Sequence, residues 1–457
     1  MLNCFTTDAL QKAIPIVLVT QKQYPTWLAE QPETIKSWLT AMQYRNDIGN
    51  ICFIPDAHGH LAKVICSVST HKNRWDVGHL ALSLPEACYS FDNIDLESET
   101  YIAYALAFGL GAYQFTRYKK PVRQSAQLRI SKNIASHLQQ QINSIYLVRD
   151  LINTPTDDMG PSQFAAMAEK IAKEHQATCK QIVGEDLLKQ NYASIYTVGR
   201  ASDDAPRLID IRWGNPKHRK VTLVGKGVCF DSGGLDIKPS SYMLLMKKDM
   251  AGGAHVLGLA RMLMQAKCPI SLRVLIPVVE NVISGNAYRP GDIIQSRQGI
   301  TIEVGNTDCE GRVILADALT EAVSEKPDLL IDITTLTGAA RIALGTDIPA
   351  LFSNQQAIAQ DVLKSGEETQ DLLWQLPLFT PYRDYLNSII ADINNNASEP
   401  YAGAITAALF LKEFVPDDIP WLHLDMMAWN LRTRPGKPQG GEACGLRALF
   451  DYISKTF

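Results

Sequence analysis

The chain has 457 residues, of which 46% are hydrophobic, 20% charged and 8% aromatic, and its formal net charge is −4 at pH 7. This length exceeds one ordinary hydrophobic core, so it predicts two globular domains, and the composition excludes general disorder. A mildly acidic chain has no overall attraction to nucleic acid or to an anionic membrane. No window approaches the roughly 20 apolar residues of a membrane helix, so neither nucleic acid nor a membrane is expected as a partner.

The nine cysteines indicate a reducing compartment. Their number is odd, they are scattered and no CxxC pair occurs, which argues against a disulfide framework and against a cysteine-rich zinc site. The N-terminal apolar stretch at 13–19 follows a single lysine rather than a basic segment, which is unlike an export signal. We therefore predict buried free thiols and a cytoplasmic protein.

Residues 1–130 are predicted to form a smaller N-terminal α/β domain, because short apolar runs alternate with helical segments. His58 and His60 flank a glycine in a predicted turn. An isolated HxH pair of this kind belongs to a surface loop far more often than to a metal site. The predicted elements are strands at 16–19, 50–55 and 62–69 and a helix at 100–118.

A run rich in proline and turn formers follows the helix-like stretch 131–152 and marks a domain boundary. We therefore predict a linker helix at 131–152 and a larger domain at 153–457. Strands and helices alternate in this α/β domain, which predicts a mostly parallel central sheet covered by helices, with sites beyond the carboxyl ends of its strands. The predicted strands are 208–213, 221–224, 271–279, 329–333 and 421–424, and the predicted helices are 161–174, 251–265, 313–324, 404–414 and 443–455.

A glycine-rich segment, 224–239, follows one predicted strand and carries Lys226, Asp231 and Lys238. Such a loop can cradle phosphate, but this one matches neither GxxxxGK[ST] nor GxGxxG. Its acidic residues would also repel phosphate unless a metal intervened.

Two further acidic segments follow. Asp249 precedes an apolar helix, where an aspartate is a favoured helix cap. Asp308 and Glu310 lie two positions apart, and taken alone they could be a solvated turn with Arg312 as the counter-charge. Carboxylate oxygens are also the ligands that Mg²⁺, Mn²⁺ and Zn²⁺ accept, so each segment has a structural and a metal-binding interpretation.

Together these segments resemble the leucyl aminopeptidase family of cytosolic, dinuclear-metal aminopeptidases, peptidase family M17. NTDCEGR is similar to the family signature NTDAEGR with one change, and GKGVCFDSGGLDIKP and MKKDMAGGA resemble its two metal-binding segments. The likeness extends to 149–155, 332–339 and 403–408 and covers essentially the whole second domain. It implies a zinc-exopeptidase-like catalytic fold.

The resemblance also implies residue roles. Asp231 and Glu310 would be shared by a tighter and a more exchangeable metal ion, and Lys238 and Arg312 would be the catalytic pair, with a bicarbonate ion at Arg312 as general base. The implied metal ligands are Lys226, Asp231, Asp249, Asp308 and Glu310. The implied substrate-binding residues are Met246, Asn306, Thr335, Leu336 and Gly338.

Physical chemistry agrees with these roles. Converging carboxylates would repel one another, and two divalent cations remove that repulsion. Lys226 must lose its proton to bind metal, whereas Lys238 stays cationic and can stabilise an oxyanion. No general base is evident in the sequence, because His255 lies on an apolar helix where a structural role is expected. The two metals are expected to be Zn²⁺ or Mn²⁺, with Mg²⁺ and Co²⁺ as alternatives.

The implied activity is release of N-terminal residues from peptides, with a preference for Leu or Met, by a water activated between the two metals. The implied assembly is a homohexamer, a dimer of trimers. Two other hypotheses stay open at this point: a nucleic-acid-binding or regulatory protein, and a catalytically inactive scaffold.

Three departures from the family pattern concern Cys309 in place of Ala, Ala402 in place of Gly, and a shortened segment at 423–429 beside the specificity pocket. By strand alternation, the Cys309 side chain is expected to point away from the two carboxylates beside it.

Overall fold

The computed structural model describes residues 2–457, which divide into two compact units. The first unit comprises the chain up to Tyr146 together with Leu431–Gln439, and the second comprises Leu147–Asn430 and Gly440–Phe457. The domain limits given above from the sequence stay a prediction. Among the described residues, no helix combines the length and the apolar character needed to cross a membrane.

The first unit is built on a six-stranded sheet in the order β1-β6-β5-β2-β4-β3. All neighbouring strands are parallel except β3, which is antiparallel to β4. A cavity of about 1600 Å³ lies at the carboxyl ends of β2, β4 and β5. The elements are β1 Phe5–Thr6, β2 Ile14–Thr20, α1 Tyr24–Ala29, α2 Glu33–Ala41, β3 Ile51–Pro55, β4 Leu61–Val68, α3 Leu80–Ser83, β5 Cys88–Phe91, α4 Glu99–Gly111, β6 Gln127–Arg129 and α5 Lys132–Asn153.

Helix α4 ends earlier than the sequence predicts. Its apolar and aromatic composition continues to Tyr118, but the helix stops at Gly111. The backbone of Gly111 lies so close to the Gly78 carbonyl that no side chain fits there. The last residue of the helix is therefore packed against the backbone at Gly78.

The second unit is built on a nine-stranded sheet. The strand order is β16-β15-β18-β14-β9-β11-β8-β7, with β10 also paired to β11. The strands are β7 Thr178–Val183, β8 Arg207–Gly214, β9 Arg219–Gly225, β10 Gly227–Asp231, β11 Ile270–Asn281, β12 Ile293–Gln295, β13 Thr301–Glu303, β14 Leu329–Thr334, β15 Ala350–Ser353, β16 Trp374–Gln375, β17 Ile393–Asn394, β18 Trp421–Asp425, β19 Trp429–Asn430 and β20 Gly440–Gly441. The helices are α6 Pro161–Glu174, α7 Asp186–Lys189, α8 Ala193–Gly199, α9 Ser240–Met243, α10 Ala251–Gln265, α11 Glu310–Val323, α12 Gly338–Leu344, α13 Gln356–Thr369, α14 Gly403–Lys412 and α15 Leu446–Thr456.

The middle of this sheet is parallel, as predicted. Strands β18, β14, β9 and β11 run parallel to one another, while β8 is antiparallel to β11 and β15 is antiparallel to β18. Strand β14 is buried along its whole length, as expected for a strand with both faces covered. Helices α10 and α11 are largely buried, and the carboxyl ends of the parallel strands meet at one edge of the sheet.

Candidate active site

A cavity of about 350 Å³ opens at this carboxyl edge. Lys226 directly follows β9, Asp231 is the last residue of β10, and Thr335 directly follows β14. Parallel strands bring their carboxyl ends to the same edge, so residues far apart in sequence line one cavity.

Two short 3₁₀ turns complete the walls. Met246–Lys248 leads into Asp249, and Thr307–Cys309 leads into Glu310 at the start of α11. Asp249 does not cap α10: Met250 occupies the N-cap position and no side-chain cap is made. The Asp249 carboxylate instead accepts hydrogen bonds from Lys226 Nζ (2.6 Å) and Thr335 Oγ1 (2.8 Å), so its capping interpretation is wrong.

Three carboxylates meet in the cavity. Single oxygen atoms of Asp231, Asp308 and Glu310 lie within 4.8 Å of one another. Lys226 Nζ lies 2.9 Å from Glu310 Oε1 and 2.6 Å from Asp249 Oδ2, which links the fourth carboxylate to the other three. Within residues 2–457, this is the only group of three metal-ligating side chains found at such spacing.

A second lysine, Lys238, also pairs with the carboxylates. Its Nζ is 2.8 Å from Asp231 Oδ2 and is also paired with Asp308. Arg312 is not a counter-charge to the acidic turn: its Nη1 donates to the Asn395 carbonyl (2.8 Å), and its Nε is buried without a hydrogen-bond partner among the described residues. The interpretation of Asp308 and Glu310 as a solvated turn requires Arg312 as their counter-charge, and no such ion pair is present among the described residues.

Two glycines, Gly311 and Gly252, let the neighbouring backbone pass close to Lys226. A Cβ on Gly311 would lie 2.5 Å from Lys226 Cε and 2.9 Å from Lys226 Nζ. A Cβ on Gly252 would overlap the Ile333 carbonyl and lie 2.8 Å from the Lys226 backbone nitrogen. The position of Lys226 therefore requires glycine at both places.

Burial and mutual repulsion disfavour the charged forms of two of the carboxylates, Glu310 and Asp308. Burial and the nearby Asp231 raise the pKa of Glu310 well above its usual range, although Lys226 opposes them. The same two causes, opposed by Lys238, raise the pKa of Asp308 to about 6. Glu310 is 1% exposed, and its Oε2 has no hydrogen-bond partner among residues 2–457.

The carboxylates favour the charged forms of the two lysines that pair with them, and so raise the pKa values of Lys226 and Lys238. Burial lowers the pKa of Lys226, but Asp249, Glu310 and Asp231 outweigh it, so the pKa lies above its usual range. The pKa of Lys238 is raised in the same way by Asp231, Glu310 and Asp308. Burial lowers the pKa of Lys248, which also lines the cavity, to about 8.

These observations fit divalent cations. The carboxylates pair with no cationic side chain other than the two lysines, and one of their oxygens has no partner among the described residues. Carboxylate oxygens together with one amine form a hard donor set suited to Zn²⁺, Mn²⁺ or Mg²⁺. Cations bound there would lower the carboxylate pKa values and would release Lys226 from its ion pairs.

The twelve site residues predicted from the sequence come together here. Eleven of them line the cavity, and Glu310 belongs to the carboxylate group in its wall. His255 is structural, as predicted, because its Nδ1 pairs with the Ala251 carbonyl (2.7 Å) and its Nε2 with the Cys444 amide (3.0 Å). All nine cysteines are free, and seven of them are buried.

The expectation for Cys309 is wrong. It assumes strand alternation, but Thr307–Cys309 is a 3₁₀ turn, and Cys309 lines the same cavity as Asp308. Successive side chains in such a turn do not alternate between two faces. Burial raises the pKa of the Cys309 thiol, and the nearby Glu310 and Asp308 carboxylates raise it further, although Arg312 opposes them.

Several residues that support the site were not predicted. Asn281, at the end of β11, donates from Nδ2 to Asp231 Oδ1 (2.8 Å) and to the Thr307 carbonyl (3.0 Å). Asn395 accepts from the amides of Gly305 (2.8 Å) and Asn306 (3.1 Å) and holds the loop before Asp308. A buried asparagine after an apolar strand is the sequence signal for Asn281, whereas Asn395 lies in a plain Asn-Asn-Asn run.

Comparisons with known proteins agree with this architecture. Residues 14–131 match the model of the M17 aminopeptidase N-terminal domain, and residues 146–450 match that of the cytosol aminopeptidase family, catalytic domain. The probable cytosol aminopeptidases of Syntrophotalea carbinolica and Rhodopirellula baltica are 44% and 43% identical, each over 68% of this chain. These alignments span 63% and 62% of the two relatives' lengths.

Solved structures extend the likeness over the whole chain. The crystal structure of the cytosol aminopeptidase from Coxiella burnetii is 50% identical, with a TM-score of 0.97 and full coverage of both chains. The bottromycin maturation enzyme BotP in complex with Mn is 30% identical, with a TM-score of 0.86, over 97% of this chain and 99% of its own.

Fold and site together define a two-domain α/β protein of the class that contains metal-dependent aminopeptidases. The chain belongs to the cytosol aminopeptidase family.

Proposed function

We propose that the protein is a metal-dependent aminopeptidase that releases N-terminal residues from peptides, using two divalent metal ions per subunit. The observation that carries this proposal is the group formed by Asp231, Asp308 and Glu310, joined to Asp249 through Lys226. Family membership supports the activity, and the charge and spacing of the group support the metals.

The proposed ligands divide into two overlapping sets. Lys226, Asp231, Asp249 and Glu310 would hold the tighter ion, and Asp231, Asp308 and Glu310 would hold the more exchangeable one. When bound, the two ions supply Lewis acidity and activate water near neutral pH. Zn²⁺ and Mn²⁺ are the proposed metals. The Mn-bound relative BotP supports the second, and Mg²⁺ and Co²⁺ are alternatives.

The remaining polar residues have distinct proposed tasks. Lys238, a cation beside Asp231 and Asp308, can donate to the oxyanion that develops on the scissile carbonyl. Arg312 lines the cavity, and its Nε is buried without a hydrogen-bond partner among the described residues. Its planar guanidinium would hold a bicarbonate ion. Asp249 would attract the free α-amine of the substrate, which restricts cleavage to the N-terminal residue.

An apolar wall supports the predicted acceptance of Leu and Met. Met246, Leu336 and Met426 line the cavity, together with the predicted substrate-binding residues Asn306, Thr335 and Gly338. A single methylene in such a pocket discriminates by only about 1–3 kcal/mol, so the preference would be graded.

The same proposal includes a homohexamer, a dimer of trimers, and a cytoplasmic location. The family resemblance supports the hexamer, and the name of the relatives, cytosol aminopeptidase, supports the location. Light scattering of the purified protein should give six times the 50.6 kDa subunit mass. A monomer at micromolar concentration would contradict the assembly.

The central experiment is activity against a panel of N-terminal residues after chelation and readdition of each metal. We expect turnover of Leu-p-nitroanilide to disappear after chelation and to return with Zn²⁺ or Mn²⁺, at two ions per subunit. Protein that binds two ions and cleaves no dipeptide would contradict the activity and favour an inactive scaffold.

A further inference from the structure

Besides Arg312, two cationic side chains line the cavity without pairing to its carboxylates. Lys248 ends the 3₁₀ turn that leads to Asp249 and is 3% exposed. Arg341 lies on α12 and is partly exposed. Both line the cavity together with the apolar residues Met246 and Leu336.

Neither cation forms an ion pair with a carboxylate of the described residues. Among residues 2–457, Lys248 Nζ makes no ion pair and no side-chain hydrogen bond. Among the same residues, the only hydrogen-bond partner of the Arg341 side chain is the Met427 sulfur, 3.5 Å from Nη1. Asp249, beside Lys248 in the chain, is already engaged by Lys226 and Thr335.

Asp425, a second buried carboxylate near Lys248, is also engaged elsewhere. It accepts hydrogen bonds from the Leu336 amide (2.8 Å), the Thr337 amide (3.2 Å) and the Thr337 hydroxyl (2.6 Å). Its acceptor capacity is therefore directed to the backbone after β14, and Lys248 gains no paired counter-charge from it.

This lack of pairing is unusual within the molecule. Seven lysines and arginines are buried, and five of them form ion pairs with described carboxylates: Arg149, Arg207, Lys226, Arg273 and Arg447. The two that do not are Lys248 and Arg312, and both line the cavity. A buried cation without a counter-charge is costly, so a ligand that supplies an anion there would be favoured.

Resting on the proposed aminopeptidase function, we infer that Lys248 and Arg341 select N-terminal residues with a carboxylate side chain, so that Glu and Asp are preferred over Gln and Asn. The Arg341 fork can bind a carboxylate through two hydrogen bonds, and the Lys248 ammonium adds a compact charge. Met246, Leu336 and Met426 would contact the methylenes of Glu as they would those of Leu.

The direct test compares isosteric substrates on the Mn²⁺-loaded protein. We expect kcat/KM for Glu-Leu to exceed that for Gln-Leu by about tenfold or more, because hydrogen bonds to charged groups are stronger than those to neutral ones. The Asp-Leu to Asn-Leu ratio should follow the same order. A Glu to Gln ratio at or below one would overturn the inference.

Variants assign the effect to the two residues. Lys248→Met and Arg341→Met should each lower the Glu to Gln ratio toward one, and Arg341→Glu should shift preference toward N-terminal Lys. Lys217→Met, at an exposed position outside the cavity, is the matched control and should keep the wild-type ratio. An unchanged ratio in both Met variants would also overturn the inference, and the wild-type ratio decides if a variant fails to fold.

The panel separates this inference from the function on which it rests. Absence of any dipeptide cleavage by the metal-loaded protein would contradict the aminopeptidase proposal. Cleavage of Leu-Leu and Met-Leu without discrimination between Glu and Gln would leave that proposal standing and reject the role of the two cations.

Discussion

Both units place a cavity at the carboxyl edge of a mainly parallel sheet. Among the described residues, only the cavity of the second unit has three carboxylates close enough together to hold a metal ion. In the first unit, a cavity of about 1600 Å³ follows β2, β4 and β5, whereas the cavity of the second unit measures about 350 Å³. The presence of a cavity at this edge is a consequence of sheet topology, whereas the reaction that a cavity can support depends on the side chains that line it.

The aspartates of the first-unit cavity accept hydrogen bonds from residues that are close in sequence. Asp92 Oδ2 accepts from Asn93 Nδ2 (3.3 Å), and Asp95 Oδ1 accepts from the Glu97 amide (3.0 Å). In the second unit, by contrast, Asp231 and Asp249 are held by Asn281, Lys226 and Thr335 from other elements. Long-range support of buried carboxylates therefore distinguishes the candidate catalytic edge from the other one.

The largest effect is expected from Asp308→Ala, which would remove one of the three carboxylates that distinguish the second cavity from the first. Turnover of Leu-p-nitroanilide should fall by more than about 10³-fold, because the more exchangeable ion would lose a ligand. Metal analysis should show one ion fewer per subunit, with an unchanged circular dichroism spectrum. Asp418→Ala, at an exposed site, is the control. Wild-type turnover of the Asp308 variant would reject the assignment.

Lys238→Ala removes a cation without removing a metal ligand. We expect both ions to stay bound and kcat to fall by about 10²–10³-fold, as with the loss of one oxyanion donor. Equilibrium dialysis against Mn²⁺ and steady-state kinetics measure the two quantities. Loss of metal in this variant would show that the roles of Lys226 and Lys238 are wrongly divided.

Gly311→Ala tests the close approach to Lys226. The added methyl would overlap the Lys226 side chain, so metal affinity should fall by about 10–100-fold, the usual effect of disturbing a residue that orients a ligand. Gly285→Ala, whose Cβ would have no heavy atom within 4 Å, is the matched control. Equal metal affinity in the two variants would contradict the packing argument.

The buried His423–Asp332 pair predicts a pH effect on stability. Burial lowers the pKa of His423, but the Asp332 carboxylate, 2.6 Å away, outweighs it, so the pKa lies above its usual value. The stabilisation is therefore complete below the unfolded pKa of about 6.5 and is lost as pH rises through the folded pKa. At fixed saturating metal, the difference in melting temperature between wild type and His423→Gln should shrink between pH 6 and pH 9. A difference in melting temperature that stays constant from pH 6 to pH 9 would contradict the proposed stabilisation by the His423–Asp332 pair.

The smallest effect is expected in the first unit. His58 and His60 are exposed in the turn between β3 and β4, where their amides donate to Asp56 Oδ1 (2.8 and 2.9 Å). Replacing both histidines by Ala should leave metal content unchanged and turnover within about twofold, since exposed side chains contribute little. A lost metal ion would show that the first unit also binds metal.

Long apolar strands and local motifs were predictable from the sequence. Strands β9, β11 and β14 and helices α10 and α11 follow from continuous or periodic apolar runs, and the twelve site residues follow from motifs on the loops after them. Strands of two or three residues, such as β16 and β17, carry no measurable period and were not predicted. Their pairing depends on tertiary contacts.

Support from distant residues was the other part that could not be predicted. Asn395 holds the loop at Gly305 through pairing that brings β17 beside β13, and no local pattern marks it. The same limit explains Cys309, whose orientation depends on a 3₁₀ turn rather than on strand alternation.

Shared carboxylates have a practical consequence for handling the protein. Asp231 and Glu310 come from distant parts of the chain, the end of β10 and the start of α11. An ion held by both would act as a non-covalent cross-link, so its binding energy would add to the folding energy. Chelating agents in a purification buffer would then remove tertiary restraints as well as cofactor, and heat tolerance would depend on the free metal concentration.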